Sequence, residues 1–374
     1  MNFKIEKTAL LNCLNVSQKA MAAKSNMPAL TGILITCKDG KVVLNTSNTD
    51  ISIKVEVEHA SLEIINDGTC LVPGRLFCDI IRKLGGDEVE IELEDDNILR
   101  IQGGSSDITL NLLDVEDYPT QKYNEEGTPI VLKANLLKEL IRETVFATSV
   151  VENRPILTGV NIKISENKLL AVATDSFRLS RRNADLESDY LETNIIIPAK
   201  SLNELNKIIG DDTNEVNIYL TQAKALFSFG NISFQTRLLE GNYPDTTKLI
   251  PTSFPIILKF NKFDLIESID RVSTLSSNPN TTPIVKLQIE PNGTVNLVSN
   301  SPELGTIKDT IAPAEIVSMG ELSISFSATY FLDALRAFNS EEICVKFTGL
   351  NKQFILEAEH DEGLVELVLP IKAE

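Results

Sequence analysis

The stretch Pro28-Ala29-Leu30-Thr31-Gly32 decides the fold, because the chain repeats it at a nearly constant spacing. It returns as Pro155-Ile156-Leu157-Thr158-Gly159 and, in a shorter form, as Pro283-Ile284-Val285. The intervals between the three prolines differ by a single position. One repeated pentapeptide is weak support for a duplication, and an independent marker with the same period would make it strong.

Such a marker exists near the end of each repeat. Asp117-Tyr118-Pro119 returns as Asn242-Tyr243-Pro244 and ends in Leu369-Pro370, so its prolines follow almost the same interval as those of the first marker. A period of this length is a whole domain, since solenoid units span only ~20–50 residues. The sequence therefore predicts three copies of one domain, with boundaries at 1–125, 126–252 and 253–374.

Each copy is predicted to contain a strand and a helix, then a hairpin, then a second strand and helix. The first strands lie at 3–5, 130–132 and 256–258, and the second strands at 70–73, 195–198 and 324–326. The hairpin turns are Asp39-Gly40, Glu166-Asn167 and Pro291-Asn292-Gly293. Hairpins instead of β-α-β crossovers favour an α+β class, in which an antiparallel sheet is covered by two helices per domain.

Apolar residues at helical spacing indicate which helix faces are buried. In the second copy they are Leu136, Leu137, Leu140, Ile141 and Val145. In the second helix of the first copy they are Leu76, Phe77, Ile80, Ile81 and Leu84. We expect the set of the second copy to form one apolar stripe that faces the core.

Composition is that of a large protein with a substantial core. The chain has 374 residues, of which 43% are hydrophobic, and no stretch approaches the ~18 apolar residues of a membrane span. The first residues lack the apolar core of a signal peptide, so we expect a cytoplasmic protein without membrane contact. The five cysteines form no Cys-x-x-Cys pair and are odd in number, which favours reduced, mostly buried thiols over disulfides.

Catalytic patterns are nearly absent from the sequence. The two histidines, His59 and His360, lie near charged residues and are typical of solvated loops. No glycine-rich phosphate loop occurs, and the acidic run at 92–96 is more typical of an exposed strand than of a metal site. A hydrolase built on Thr174-Asp175-Ser176 would need a base that the sequence does not provide. We therefore expect neither an enzyme, a cofactor nor a metal.

Charge is distributed unevenly along the chain. The net charge of −18 is the wrong sign for binding nucleic acid by bulk attraction. The helical segments of the first two copies nevertheless carry +7 together, which leaves −25 for the remainder. A basic helical face would meet phosphate groups, although lysines are also common on ordinary helix surfaces.

Four motifs together give the chain a specific resemblance. They are 154–159 (RPILTG), 173–179 (ATDSFRL), 240–245 (EGNYPD) and 369–371 (LPI). In their order and in the length of the chain they resemble the bacterial DNA sliding clamp family, the beta subunit of DNA polymerase III. The resemblance covers all three copies.

The resemblance implies a head-to-tail homodimer closed into a ring of six domains, with twelve helices around a hole for double-stranded DNA. It implies a polymerase processivity factor without catalytic activity. The residues expected to face DNA are Lys24, Arg75, Arg82, Lys83 and Lys200. The residues expected at the dimer interface are Ile108, Leu110, Thr274 and Leu275.

The same resemblance implies a groove that binds short peptides of the replicative polymerase, the clamp loader and repair proteins. The groove residues are Leu157, Thr174, Ser176, Phe177, Arg178, Leu179, Pro244, Lys248, Leu249, Tyr330, Leu367, Val368, Leu369, Pro370 and Ile371. Phe177 stands where the family usually has histidine, and Lys248 where arginine is frequent. Two alternatives stay open: ordinary core packing of Leu157, Leu179 and Leu369, and an adaptor with the same domains that does not close into a ring.

Overall fold

The fold was analysed in a computed structural model that describes residues 1–95, 97–151, 153–275 and 283–371. The chain divides into two compact units. The first unit comprises Met1–Leu137 and Lys200–Leu238, and the second comprises Lys138–Ala199 and Leu239–Glu374.

Six α-helices occur in the described ranges, two in each predicted copy. They are α1 (Lys7–Ser17), α2 (Gly74–Lys83), α3 (Ala134–Thr144), α4 (Ala199–Ile208), α5 (Lys262–Ser273) and α6 (Ala328–Ala337). Each follows directly on a strand, as the sequence predicts. Asn261 begins α5 by accepting hydrogen bonds from the backbone N–H groups of Phe263 and Asp264, which satisfies two donors that a helix start leaves open.

The strands are short except for two. Those of the first copy are β1 (Asn2–Glu6), β2 (Gly32–Lys38), β3 (Lys41–Ser47), β4 (Ile51–Val57), β5 (Glu63–Asn66), β6 (Gly68–Pro73), β7 (Glu88–Asp95), β8 (Ile98–Gly103) and β9 (Ser106–Asn111). Those of the second copy are β10 (Ile130–Lys133), β11 (Gly159–Thr174), β12 (Arg178–Pro198), β13 (Glu215–Leu220), β14 (Lys224–Phe229) and β15 (Ile232–Arg237). Those of the third copy are β16 (Ile256–Asn261), β17 (Ile284–Ile289), β18 (Val295–Ser301), β19 (Gly305–Ile311), β20 (Glu315–Ser318), β21 (Leu322–Ser327), β22 (Glu342–Phe347), β23 (Phe354–Glu357) and β24 (Leu364–Val368).

The first unit holds two antiparallel sheets. One has the order β5-β1-β7-β8-β9, and the other has the order β10-β13-β14-β15-β4-β3-β2-β6. The second sheet continues from copy one into copy two, because β15 pairs with β4 and places Phe234 opposite Ile53. Two copies of the domain are thus joined by backbone hydrogen bonds.

The second unit repeats this arrangement. Its sheets have the orders β11-β12-β24-β23-β22-β16-β20 and β19-β18-β17-β21. Here β24 pairs with β12, and Leu367 lies opposite Leu179. Copies two and three are therefore joined in the same way as copies one and two.

Two of the three predicted hairpin turns join separate strands, whereas Glu166-Asn167 lies inside β11 as an irregularity of the strand. Asp39 and Gly40 have φ of 52° and 76°, as a two-residue turn with the twist of a hairpin requires. Glu166 has φ of 54°, and the pairing of β11 with β12 changes register on both sides of it. Gly293 has φ of 84° between β17 and β18.

The predicted helix faces are largely confirmed. Leu137, Leu140, Ile141 and Val145 of the predicted stripe are buried, and Leu136 is half-buried. In the second helical segment of copy one, Phe77, Ile81 and Leu84 are buried, whereas Leu76 is 52% exposed. Successive residues of a helix differ in direction by about 100°, so Leu76 falls outside the face that Phe77 and Ile81 share. The core of the second unit is rich in phenylalanine, with the rings of Phe326 and Phe331 stacked at a centroid distance of 4.7 Å.

All five cysteines are free, and three of them, Cys37, Cys70 and Cys78, are buried. Burial raises the pKa of the Cys70 thiol to about 12 and that of Cys78 to about 11. The prediction that most of the thiols are buried is confirmed, and burial disfavours the reactive thiolate.

Candidate functional site

A tight turn between β11 and β12 forms the centre of the candidate site. Asp175 Oδ1 accepts hydrogen bonds from the backbone N–H of Phe177 at 2.8 Å and of Arg178 at 3.0 Å. Thr174 Oγ1 donates to the carbonyl of Arg178 at 2.6 Å. These bonds hold Ser176 at φ of 80°, a conformation that costs a non-glycine residue about 1–2 kcal/mol. The turn presents Phe177 to solvent, with 60% of its surface exposed.

Arg178 fastens this turn to its surroundings. Its Nε donates to Asp175 Oδ2 at 3.1 Å, Nη1 to Asp333 Oδ2 at 2.7 Å, and Nη2 to the carbonyl of Phe146 at 2.5 Å. Its guanidinium also lies over the ring of Tyr330, 4.4 Å from the centroid. A planar guanidinium donates in several directions at once and stacks on an aromatic face, so arginine suits this position where lysine would not. Arg178 belongs to copy two, whereas Asp333 and Tyr330 belong to copy three.

The floor of the site is apolar and closed. Leu179 and Leu367 form a buried cluster with Val172 and Ile355, at 1% to 4% exposure. Leu157 is likewise buried, at 4%. These leucines are core residues as well as candidate contacts, so core packing accounts for part of the predicted groove.

The segment after Asn242 packs against this floor. Tyr243 lies against the Leu179 cluster, and its hydroxyl oxygen accepts a hydrogen bond from the backbone N–H of Thr174 at 3.0 Å. Burial raises the pKa of Tyr243, so the phenol stays neutral. The carbonyl of Leu249 accepts from Gln353 Nε2 at 3.4 Å. The predicted residues Pro244, Lys248 and Leu249 lie in the segment between Tyr243 and Ile250, both of which pack against the floor.

The rim of the site is apolar and exposed. Leu249 is 48% and Leu369 is 36% exposed, alongside Phe177. The backbone N–H of Leu369 donates to the carbonyl of Phe177 at 3.0 Å, and that of Ile371 donates to the carbonyl of Ser325 at 2.7 Å. These two bonds fix the last described residues of the chain at the rim. The tail 372–374, whose role the sequence left open, lies outside the described residues.

Two buried carboxyl groups lie beneath the turn, and no sequence pattern indicated them. Glu366 is 2% exposed and lies 2.8 Å from Ser180 Oγ, which donates to the carbonyl of Glu143 at 2.5 Å. A hydroxyl has one proton to donate, so this arrangement requires Glu366 to be the donor to Ser180. Burial raises the pKa of Glu366 well above its usual range, in agreement with a protonated carboxyl.

Glu143 is the second of these groups. It is 1% exposed, with Arg142 Nη2 at 3.2 Å and Arg182 Nε at 3.3 Å from its carboxyl oxygens. Burial raises its pKa to about 7, and the two arginines partly oppose that shift. A glutamate flanked by arginines is typical of an exposed helix, so its burial was not predictable from sequence.

The residues expected to face DNA are all exposed. They are Lys24, Arg75, Arg82, Lys83 and Lys200. Arg75 and Arg82 line a hollow of about 680 Å³ together with Met21, Ala22 and Leu76. Arg82 also pairs with Asp79 at 2.8 Å. The structure brings two of the five cations together at this hollow, and the three lysines lie outside its lining.

The expected dimer residues divide into two kinds. Ile108 and Leu110 lie on β9, which is the edge of its sheet, but Leu110 is only 6% exposed and packs within its own copy. Ile108 is half-buried and available for contact. Thr274 is exposed at the end of α5, and Leu275 beside it is half-buried.

Other kinds of site find no support in the described ranges. No group of three histidine, cysteine or acidic side chains there is arranged to hold a metal ion. His59 is an exposed loop residue that contacts Ser61 and Glu6, and His360 is exposed. Among the helices described, none combines the length and apolarity needed to cross a bilayer.

Comparison with known proteins assigns the family. The sequence profiles of the DNA polymerase III beta subunit match in order: the N-terminal domain at residues 1–122, the central domain at 131–245 and the C-terminal domain at 247–372. A protein named Beta sliding clamp from Staphylococcus epidermidis is 40% identical over 377 residues, covering 100% of this chain and 99% of that protein. The chain belongs to the bacterial DNA sliding clamp family.

Solved structures agree with this assignment. The DNA polymerase sliding clamp of Bacillus subtilis gives a TM-score of 0.95 at 39% identity, and the DNA polymerase III beta chain of Streptococcus pneumoniae gives 0.95 at 36%, each with 100% coverage of both chains. The predicted α+β clamp fold of three similar domains is confirmed. This clamp is a non-catalytic processivity factor of DNA polymerase III, so the hydrolase alternative was wrong.

Proposed function

We propose that this cytoplasmic clamp closes head to tail with a second copy into a six-domain ring around double-stranded DNA. The three domains are 1–125, 126–252 and 253–374. The ring tethers the replicative polymerase, the clamp loader and repair proteins through the groove around 174–179. Binding is topological and independent of DNA sequence.

The observation that carries this proposal is the repeated strand pairing between copies. Copy two adds β15 to β4 of copy one, and copy three adds β24 to β12 of copy two. By position in the repeat, the strand of copy one that corresponds to β15 and β24 is β9. The strand of copy three that corresponds to β4 and β12 is β19.

Both of these strands are sheet edges within the chain. An open edge presents unpaired backbone N–H and C=O groups and promotes association. Pairing β9 of one chain with β19 of another would form a third joint of the same kind as β15 with β4 and β24 with β12. When two chains pair in this way at both ends, neither β9 nor β19 stays unpaired. This favours a closed ring of two chains instead of an open adaptor.

The groove supports the tethering role. A buried apolar floor with an exposed apolar rim and fixed backbone groups suits an extended peptide with large apolar anchors. Phe177, Leu249 and Leu369 are the exposed anchor contacts, and Leu179 and Leu367 close the floor. Because Phe177 is 60% exposed, we infer that it contacts peptide directly.

Exposed basic residues on the helices, with Lys24 in the segment after the first helix, support the DNA role. Lys24, Arg75, Arg82, Lys83 and Lys200 give a modest positive surface on a chain of net charge −18. A ring does not need strong attraction, because encirclement retains the DNA. The acidic remainder disfavours binding of DNA elsewhere on the protein.

Substitution of the β9 edge tests closure. We expect Ile108→Asp to convert a dimer into a folded monomer in analytical ultracentrifugation, because the carboxylate would be buried at the interface. Ile65→Asp is a matched control on β5, at the opposite edge of the same sheet, where Ile65 is 46% exposed. That variant should stay dimeric. A monomeric wild type, or an unchanged dimer for Ile108→Asp, would contradict the proposal.

A further inference from the structure

The joint between copies one and two repeats the backbone of the peptide groove. Asn48 Oδ1 accepts hydrogen bonds from the backbone N–H of Asp50 at 2.8 Å and of Ile51 at 2.9 Å. Asp175 does the same for Phe177 and Arg178 in the groove. The chain therefore contains a second turn with the same pair of side-chain-to-backbone hydrogen bonds, although Thr49 lacks the positive φ of Ser176.

In both joints the strand of the next copy along the chain ends in the same hydrogen bond to the turn. The backbone N–H of Arg237 donates to the carbonyl of Asp50 at 3.0 Å, and that of Leu369 donates to the carbonyl of Phe177 at 3.0 Å. Residues of the two joints can thus be compared position by position.

The side chains at matching positions differ in chemistry. Ser52 lies opposite Gln235 where the groove has Leu179 opposite Leu367. Asp50 stands in place of Phe177, and Arg237 in place of Leu369. The first joint has lost the apolar floor and rim, so it does not suit the peptides that the groove binds.

A small polar pocket occupies this joint instead. Its volume is about 50 Å³, enough for roughly three to five water molecules. The pocket is lined by Ser47, Asn48, Thr49, Asp50, Ile51, Ser52, Gln121, Lys224, Gln235, Thr236 and Arg237. A pocket of this size and polarity suits a small ion.

Cations predominate among the charged residues of the lining. Asp50 is the one carboxylate of the lining. Lys224 and Arg237 lie opposite each other on β14 and β15, and within the part of the chain that the structure describes neither forms an ion pair. When the oxygen and nitrogen of the Gln235 amide are assigned from their hydrogen-bonding neighbours, Oε1 accepts from Lys224 Nζ at 3.1 Å and Nε2 donates to the carbonyl of Lys122 at 2.9 Å. Lys224 is thereby held at the pocket. Two adjacent cations that no described carboxylate neutralises are unusual on a chain of net charge −18.

We propose that this pocket binds an oxyanion of the phosphate class, held by Lys224 and Arg237 with the hydroxyl of Thr49. Charge-assisted hydrogen bonds from ammonium and guanidinium groups are the usual contacts of phosphate oxygens. The phosphate is either free or the terminal group of a nucleic-acid strand. Binding there depends neither on ring closure nor on the peptide groove.

Calorimetric titration of the full-length clamp with inorganic phosphate, at constant ionic strength set with chloride, tests this proposal. We expect saturable binding that Arg237→Gln and Lys224→Gln each weaken at least tenfold. Lys38→Gln is the matched control, because it removes the same charge from an exposed position on β2. The thermal unfolding temperatures of all three variants show that they remain folded.

A second arm identifies the source of the phosphate. A 5′-phosphorylated dinucleotide is compared with the same dinucleotide bearing a 5′-hydroxyl. Tighter binding of the phosphorylated form than of inorganic phosphate assigns the site to strand ends, whereas weaker or equal binding assigns it to the free ion. No saturable binding, or equal weakening by Lys38→Gln, would overturn the proposal.

Discussion

Arg178 lies over the ring of Tyr330, with its guanidinium carbon 4.4 Å from the ring centroid. The two residues belong to different copies of the repeated domain. The same guanidinium donates to Asp333, so one side chain supplies both a cation–π contact and an ion pair across the joint. The candidate site therefore lies where two copies of the repeat are joined.

Removal of that side chain should loosen the joint. We expect Arg178→Ala to destabilise the pairing of β24 with β12 by about 2–4 kcal/mol, because it leaves Asp175 and Asp333 without their partner in a largely buried setting. Native-state hydrogen exchange of the β24 amides measures this directly, since those amides bond to β12.

Arg336→Ala provides the control for this variant. Arg336 also approaches Asp333, but at 3.9 Å and with 57% of its side chain exposed. Exposed pairs of that kind contribute ~0–1 kcal/mol. Equal changes in exchange for both variants would show that the buried contacts of Arg178 do not hold the joint.

The buried carboxyl groups predict an unusual dependence of stability on pH. The pKa of Glu143 is raised from its ordinary value near 4.5 to about 7. Between pH 4.5 and pH 7 this glutamate is deprotonated in the unfolded chain but still protonated in the folded chain. Its contribution to the free energy of unfolding therefore falls as pH rises. The full loss is on the order of 3 kcal/mol. The raised pKa of Glu366 acts in the same direction.

Glu366→Gln isolates this effect, because the amide keeps a donor for Ser180 and does not ionise. We expect the variant and the wild type to have similar free energies of unfolding at pH 5, and the variant to be more stable at pH 8. Urea denaturation at both values measures the difference. Glu359→Gln, at an exposed position, gives the background effect of removing one carboxylate. A variant that is less stable than wild type at pH 8 would contradict this assignment.

The exposed rim, not the floor, is the place to test peptide binding. We expect Leu249→Ala to weaken an extended peptide with large apolar anchors by roughly ten- to thirtyfold, corresponding to about 2 kcal/mol for a good anchor contact. The thermal unfolding temperature should not change, because Leu249 is 48% exposed. Leu191→Ala, at a position 90% exposed on β12, should leave affinity unchanged. Equal affinities for both variants would place the peptide elsewhere.

A charged substitution at the buried floor would be a less specific test of peptide binding. Leu179 is 1% exposed within the core cluster, so Leu179→Asp would unfold the joint as well as block a ligand. Deletion of 369–374 is similarly mixed, since it removes the backbone bonds that Leu369 and Ile371 make to Phe177 and Ser325. Single substitutions of exposed residues separate binding from folding.

The repeat made most of the fold predictable. Two sequence motifs that recur with the same period predicted three copies of one domain. The Asp39-Gly40 turn predicted the register of the first hairpin. Pairing of β4 with β15 was not predictable, because it joins strands of different copies and no local pattern specifies a partner so distant in sequence. The exposure of Leu76 was not predictable either, since spacing alone does not fix where a helix face ends.

The site was predictable only in part. The resemblance supplied Leu179, Leu249 and Leu369, but it did not separate floor from rim, because exposure depends on neighbours distant in sequence. Arg178 contacts Asp333 on α6, and the buried Glu366 lies on β24. Both elements belong to the copy that follows along the chain. Those contacts appear only in the folded chain.

Retention on DNA of different topology tests the central claim most directly. A bacterial clamp loader places the clamp on nicked circular DNA, and the complex is washed at high salt. A restriction enzyme then linearises the circle, and the clamp that stays bound is measured before and after the cut. Contacts of Lys and Arg with phosphate weaken steeply as salt rises, whereas encirclement does not. We expect the clamp to survive the wash on circular DNA and to be lost once the circle is cut. Equal loss from circular and linear DNA would contradict a closed ring.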